Sequence, residues 1–259
     1  MITYLRRSKN TLIFGGTAIW GLVLVGCVTV NRIALAPPHI AGANFVGTKE
    51  CAQCHAEETG KFATATHSRL ALSEGKVGDT GCEACHGPAS IHVDTGGARG
   101  TIVNPKKSPD TCFQCHLDKR GEMSLPHSHP VMKGGQVACS DCHDPHKGNA
   151  IKGGGINLAT ANETCTECHT AQKGPFVYKH NAMLEGCTAC HNPHGSVNDK
   201  MLVARDDNLC LRCHLEVAGT GQVVVGGEDH ASRLQRGTCW SAGCHEAVHG
   251  SNANSHLRY

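Results

Sequence analysis

The stretch "GCTACHNPHGS", Gly186 to Ser196, holds Cys187 and Cys190, then His191 directly after the second cysteine, then His194 three residues further on. The first three residues make a unit that recurs along the chain. It appears as Cys51, Cys54 and His55; Cys82, Cys85 and His86; Cys112, Cys115 and His116; Cys139, Cys142 and His143; Cys165, Cys168 and His169; and Cys210, Cys213 and His214. An eighth copy, Cys239, Cys244 and His245, has four residues between its cysteines rather than two. These motifs use 16 of the 17 cysteines and leave only Cys27.

Paired cysteines admit disulfides, zinc knuckles or haem attachment. The histidine separates these readings. Neither a disulfide nor a zinc ribbon needs a histidine immediately after its second cysteine, yet that slot is histidine in all eight copies. Covalent haem c explains the spacing: two thiols add to the two vinyl groups, and the next residue lies under the iron. The sequence therefore predicts eight covalently attached haem c groups. The wider eighth motif is expected to bulge while keeping the same thioether pair.

The chain has 259 residues, 31 glycines, 19 histidines and 4% aromatics. Removing residues 1–26 leaves about 29 residues per haem, too few to wrap each in a conventional core. The expected architecture is mostly irregular and α-helical with little or no sheet, a multihaem cytochrome c wrapped around a stacked haem chain. Stability then depends on cofactor attachment. "SPDTCFQCH" and "TANETCTECH" have the form of capped helix starts. "GQVVVGG" (Gly221–Gly227) suggests a short isolated strand. Met123, Met132, Met183 and Met201 are read as packing residues.

The formal net charge of +2 includes three positive residues, Arg6, Arg7 and Lys9, before an uncharged run from Thr11 to Val30. Without that leader the chain is slightly acidic, and haem propionates make it more so. No basic stripe suggests nucleic acid. "LVGC" (Leu24–Cys27) fits a lipobox, so residues 1–26 are expected to be a lipoprotein signal peptide, with Cys27 the lipidated first residue of the mature chain. Residues 27–47 read as a tether and 48–259 as an octahaem domain. The rival reading is an uncleaved membrane helix, since 20 apolar residues are long enough to span.

The motifs alternate. Odd ones have no histidine close behind; even ones are trailed by His92, His146, His194 and His249 and preceded by His67, His129, His180 and His230. This gives four loose two-haem repeats, at about 48–108, 109–161, 162–206 and 207–251, joined by Gly-rich spacers. A histidine three residues behind an attachment histidine leaves the same side of the porphyrin and cannot reach its far face. It must serve another haem. The eight module histidines are therefore the predicted distal iron ligands, and the eight motif histidines the proximal ones. His39, His127 and His256 are left over, with His127 a possible substitute for His129. Which distal histidine serves which iron stays open at this level.

"CEACHGPASIHV" (Cys82–Val93), "GPFVYKHNAMLEGCTACHNPHGS" (Gly174–Ser196) and "NLCLRCH" (Asn208–His214) resemble the doubled-CxxCH family, and within it the MtrA/DmsE-like periplasmic multihaem cytochromes. The resemblance runs over roughly residues 44 to 214. It implies bis-histidine haems forming a wire in a porin–cytochrome electron conduit. The implied partners are a periplasmic or inner-membrane quinol dehydrogenase, an outer-membrane barrel, and a surface multihaem cytochrome or terminal reductase. The chain departs from that type in having eight motifs rather than ten, a CX4CH motif, and a lipobox. A shorter octahaem partner of such a complex, or a tethered periplasmic carrier, suits these departures.

The expected function is electron transfer in extracellular, metal or other anaerobic respiration, with the protein held on the periplasmic side of the envelope as an outer-membrane-tethered lipoprotein. The expected role is electron carrier rather than enzyme, because bis-histidine iron has no open position for substrate. Two other classes compete. One is a multihaem oxidoreductase with one substrate-binding haem, at the CX4CH motif carrying Trp240. The other is a membrane-anchored quinol dehydrogenase.

Overall fold

A computed structural model describes residues 38–68, 81–131, 135–147, 158–217, 222–241 and 243–259, all within one unit from Pro37 to Tyr259. The expected signal peptide, Cys27, the first part of the tether, Met132 and the "KGGGI" spacer lie outside the described residues. Among the described residues no helix is long and apolar enough to cross a membrane.

Short helices are set at the motifs. They are α1 (Thr48–Ala52), α2 (Ala56–Phe62), α3 (Glu83–His86), α4 (Ser90–Asp94), α5 (Asp110–Phe113), α6 (Leu117–Met123), α7 (Cys139–Cys142), α8 (Leu158–Thr166) and α9 (Asp207–His214). None exceeds nine residues, so none is stable alone; helices this short need tertiary support. Within the motifs one hydrogen bond recurs. The histidine N–H donates to the carbonyl of the first cysteine at 2.9–3.0 Å, closing one helical turn. His245 makes the same bond to Cys239 at 2.9 Å despite the two extra residues. The ends of the longer eighth motif therefore keep the standard relation.

Three of the four odd motifs end at a sharp junction. His55, His116 and His169 each sit just before a following helical turn, with φ between −112° and −89° and ψ between 45° and 59°. The histidine breaks the first helix, so the next residue starts a second helix in a new direction. The expected side-chain caps are not what starts the motif helices. α5 begins after Pro109 with no side-chain cap, and α8 starts at Leu158, upstream of "TANET".

Two small antiparallel sheets complete the fold. One pairs β1 (Tyr178–Lys179) with β5 (Gly250–Ser251). The other has the order β2 (Glu216–Val217), β3 (Val223–Val225), β4 (Glu228–Asp229). The valine run is therefore a strand but not an isolated one. It is the centre of three, and Gly226 and Gly227, both at positive φ, make its tight turn into β4.

Among the described residues the buried apolar set is small: Phe113, Met123, Val103, Val131, Leu202 and four alanines. Polar ties supply much of the remaining order. Buried Glu83 accepts hydrogen bonds from the backbone N–H groups of Val46, Gly47 and Ala89 at 2.8–3.2 Å. Asn44 adds a reciprocal pair with Ser90, at 2.9 Å and 3.0 Å. The end of the expected tether is thus pinned to the second motif.

Candidate functional site

The histidine side chains form facing pairs. His55 faces His92, His86 faces His146, His116 faces His67, His143 faces His194, His169 faces His129, His191 faces His249, and His214 faces His180. Ring centroids are 6.1–6.4 Å apart in every pair. This is too far for ring stacking. It matches the separation that one metal held between two imidazoles would have, since two bonds of about 2.0–2.1 Å plus roughly 1.1 Å from each nitrogen to its ring centre sum to roughly 6.3 Å. Each pair joins one motif histidine to one of the eight module histidines. The residues present therefore fit a porphyrin iron between them.

No trailing histidine faces the motif it follows. His146 turns from His143 to His86, His194 from His191 to His143, and His249 from His245 to His191. The preceding histidines move the other way: His67 reaches the third motif, His129 the fifth and His180 the seventh. Adjacent modules thus exchange two histidines, one in each direction. The first motif is closed within its own module by His92. Among the described residues no imidazole faces His245 across this distance, and His230 is the one predicted distal histidine without a facing motif ring.

A second regularity locks the exchange. His67, His129 and His180 make ring hydrogen bonds to the carbonyls of Pro145, Pro193 and Val248, at 2.7 Å and 2.8 Å for the last two. Each acceptor lies one residue before the trailing histidine that the next module sends back. Similar bonds tie His86 to Val103 (3.1 Å), His191 to Lys200 (2.8 Å), His230 to Glu228 (2.9 Å) and His245 to His256 (2.6 Å), all through Nδ1 to a backbone carbonyl. A carbonyl can only accept, so Nδ1 carries the proton and Nε2 is left with a free lone pair. His92 uses the Thr101 hydroxyl at 3.1 Å, and His194 the Glu122 carboxylate at 3.2 Å. Burial holds His67, His86, His194 and His249 below the usual imidazole pKa. That favours the neutral form, which a metal needs.

These acceptors escaped the sequence. Lys200 is at φ 55°, a conformation a lysine rarely adopts, and its carbonyl is the one that meets His191. His127 does not replace His129: its backbone bridges Ser196 and its ring lies 3.7 Å from Asp199.

The cysteines repeat the module plan. The first sulfurs of the two motifs in each module interact: Cys51 with Cys82, Cys112 with Cys139, Cys165 with Cys187, Cys210 with Cys239. Between modules, Cys85 interacts with Cys115, Cys142 with Cys165, and Cys190 with Cys210. The eight motifs therefore follow one another in space in sequence order. Before haem attachment, burial and then the neighbouring sulfur push the Cys51 and Cys165 thiols up to about 11. Polar side chains staple the pairs. The Cys187 N–H donates to Asn162 at 2.9 Å and the Cys239 N–H to Asp207 at 2.7 Å, and each acceptor lies three residues before its module's first cysteine.

Residues 129–174 and 180–219 match the family model described as the doubled CXXCH motif. The Multiheme cytochrome MtrA of Shewanella baltica (strain OS185) is 32% identical over 206 residues, which cover 78% of this chain and 57% of that protein. This chain thus spans little more than half the length of that relative. The Undecaheme cytochrome from the S-layer of Carboxydothermus ferrireducens is 25% identical over 57% of this chain and 27% of that one, with a TM-score of 0.14, too low to equate the two folds. Over residues 129–174 and 180–219 the chain carries the doubled CXXCH motif of multihaem cytochromes, and its CxxCH motifs bind haem c.

Proposed function

We propose that this protein carries eight covalent haem c groups, each iron held by two histidines, and that it conducts electrons along them in motif order. The observation that supports this most strongly is the set of facing imidazoles exchanged between modules. When bound, haem supplies one-electron exchange between ferric and ferrous iron. The chain's cysteines and histidines would hold the groups in line, with two histidines to each iron. Two histidines on each iron would leave no place for a substrate, which suits an electron carrier rather than an enzyme.

The proximal ligands are the eight motif histidines. The distal ligands run, from the first motif to the seventh, as His92, His146, His67, His194, His129, His249 and His180. We assign His230 to the eighth motif, closing it from within its own module as His92 closes the first. The Nδ1 bonds of His230 and His245 leave both Nε2 atoms suited to metal. The porphyrins take the place of a larger apolar core, and exposed Leu117 and Leu215, each directly after a motif histidine, supply apolar surface for them.

Residues 1–26 serve as a lipoprotein signal peptide and Cys27 as the lipid anchor, with the haem domain beginning near residue 48. The protein works on the periplasmic side of the envelope in anaerobic respiration. It passes electrons between a quinol-oxidising donor and an outer-membrane barrel with a surface cytochrome or terminal reductase. Two measurements test this reading. Intact-mass analysis of the exported protein is expected to show eight haem adducts and acyl chains, the latter lost in Cys27→Ala. Film voltammetry is expected to show reversible low-potential electron exchange, with no catalytic current on adding nitrite or sulfite. Fewer adducts, or a catalytic current, would overturn it.

A further inference from the structure

The ring-nitrogen partners differ in charge. Backbone carbonyls serve His67, His86, His129, His180, His191, His230 and His245, and a hydroxyl serves His92. His194 instead has the Glu122 carboxylate 3.2 Å from Nδ1. His146 also has carboxylates nearby, but Asp144 and Glu58 stand at 3.6 Å and 3.8 Å, beyond hydrogen-bonding range.

The Glu122–His194 contact is built rather than incidental. Glu122 lies in the last turn of α6, the helix that follows the third motif. Residue 195 is glycine, and a Cβ there would collide with the Glu122 carbonyl. The lack of a side chain lets the "NPHG" turn close onto this helix. Both side chains are partly sheltered, at 25% and 29% exposure, so water screens the pair incompletely. Lys119 holds the same carboxylate from its other side at 2.7 Å.

A carboxylate on the outer nitrogen makes an imidazole a stronger electron donor, and a stronger donor favours ferric over ferrous iron. We propose that Glu122 is a positioning and tuning residue that makes the haem of the fourth motif, between His143 and His194, lower in potential than it is with a neutral partner. This rests on the ligand assignment proposed above. Lys119 sets the strength of the effect by drawing part of the carboxylate's charge.

The test compares Glu122→Gln and Lys119→Met with the unaltered holoprotein by spectroelectrochemical titration, with haem count and spin state measured on the same samples. Gln keeps an acceptor at the same place and removes the charge. The expected result for Glu122→Gln is all haems attached, all low-spin, and one component shifted to higher potential while the rest are unchanged. Lys119→Met is expected to move the same component the opposite way. His194→Ala identifies the component, because it leaves that iron high-spin. Unchanged potentials in low-spin Glu122→Gln protein overturn the tuning role and leave the ligation standing. If His194→Ala stays wholly low-spin, the ligand assignment itself is wrong.

Discussion

His194 sits three residues from His191 and faces His143, in the preceding module. His194→Ala is therefore expected to keep every haem covalently attached and to open one axial position at the fourth motif. Ferric EPR should gain one haem's worth of high-spin signal. His249→Ala should do the same at the sixth motif and His146→Ala at the second. That a trailing histidine must leave its own motif was legible, because covalent attachment fixes where the chain exits the porphyrin. Its destination was not, because it depends on how the loop between modules folds. Lys200, Pro145 and Pro193 carry no sequence signal for their role, since what they contribute is a backbone carbonyl.

Short elements make these positions rigid through polar ties. Glu83 in α3 is the clearest case, a buried carboxylate meeting three backbone N–H groups. Glu83→Ala leaves those donors unpaired at about 1–3 kcal/mol each. It is expected to release residues 38–47 from the second motif, which limited proteolysis detects as new cleavage before Thr48, with haem content unchanged. Ring orientation is also set by the elements. Five facing pairs are within 20° of parallel, His129–His169 is tilted by 56°, and His67–His116 stands at 86°. Crossed imidazoles leave the iron's two π-type d orbitals nearly degenerate, whereas parallel ones split them. The low-spin EPR spectrum should therefore contain one strongly axial component from the third motif, absent in His67→Ala. Helices at the motifs and a strand at Val223–Val225 could be read ahead. The strand's partners and the helix starts could not, because two-residue strands and one-turn helices take their order from tertiary contacts rather than from local pattern.

At the scale of the whole molecule, each module boundary is crossed by two histidines in opposite directions. With the proposed ligation, cutting any boundary would leave one iron on each side short of a histidine. The modules are not independent beads, and a distal substitution in one is expected to disturb the site of its neighbour rather than its own. The four-fold repeat was legible from the spacing of cysteines and histidines. The interlocking was not, since a repeat with each pair of ligands kept inside its own module has the same sequence pattern. The same interlock places successive motifs side by side in chain order, as a conductor requires. The most direct test is cryogenic EPR spin counting on the fully oxidised protein, with haem number fixed by intact mass on the same sample. Bis-histidine wiring predicts eight haem adducts and low-spin iron throughout. Several haems' worth of high-spin iron in unaltered protein would contradict it.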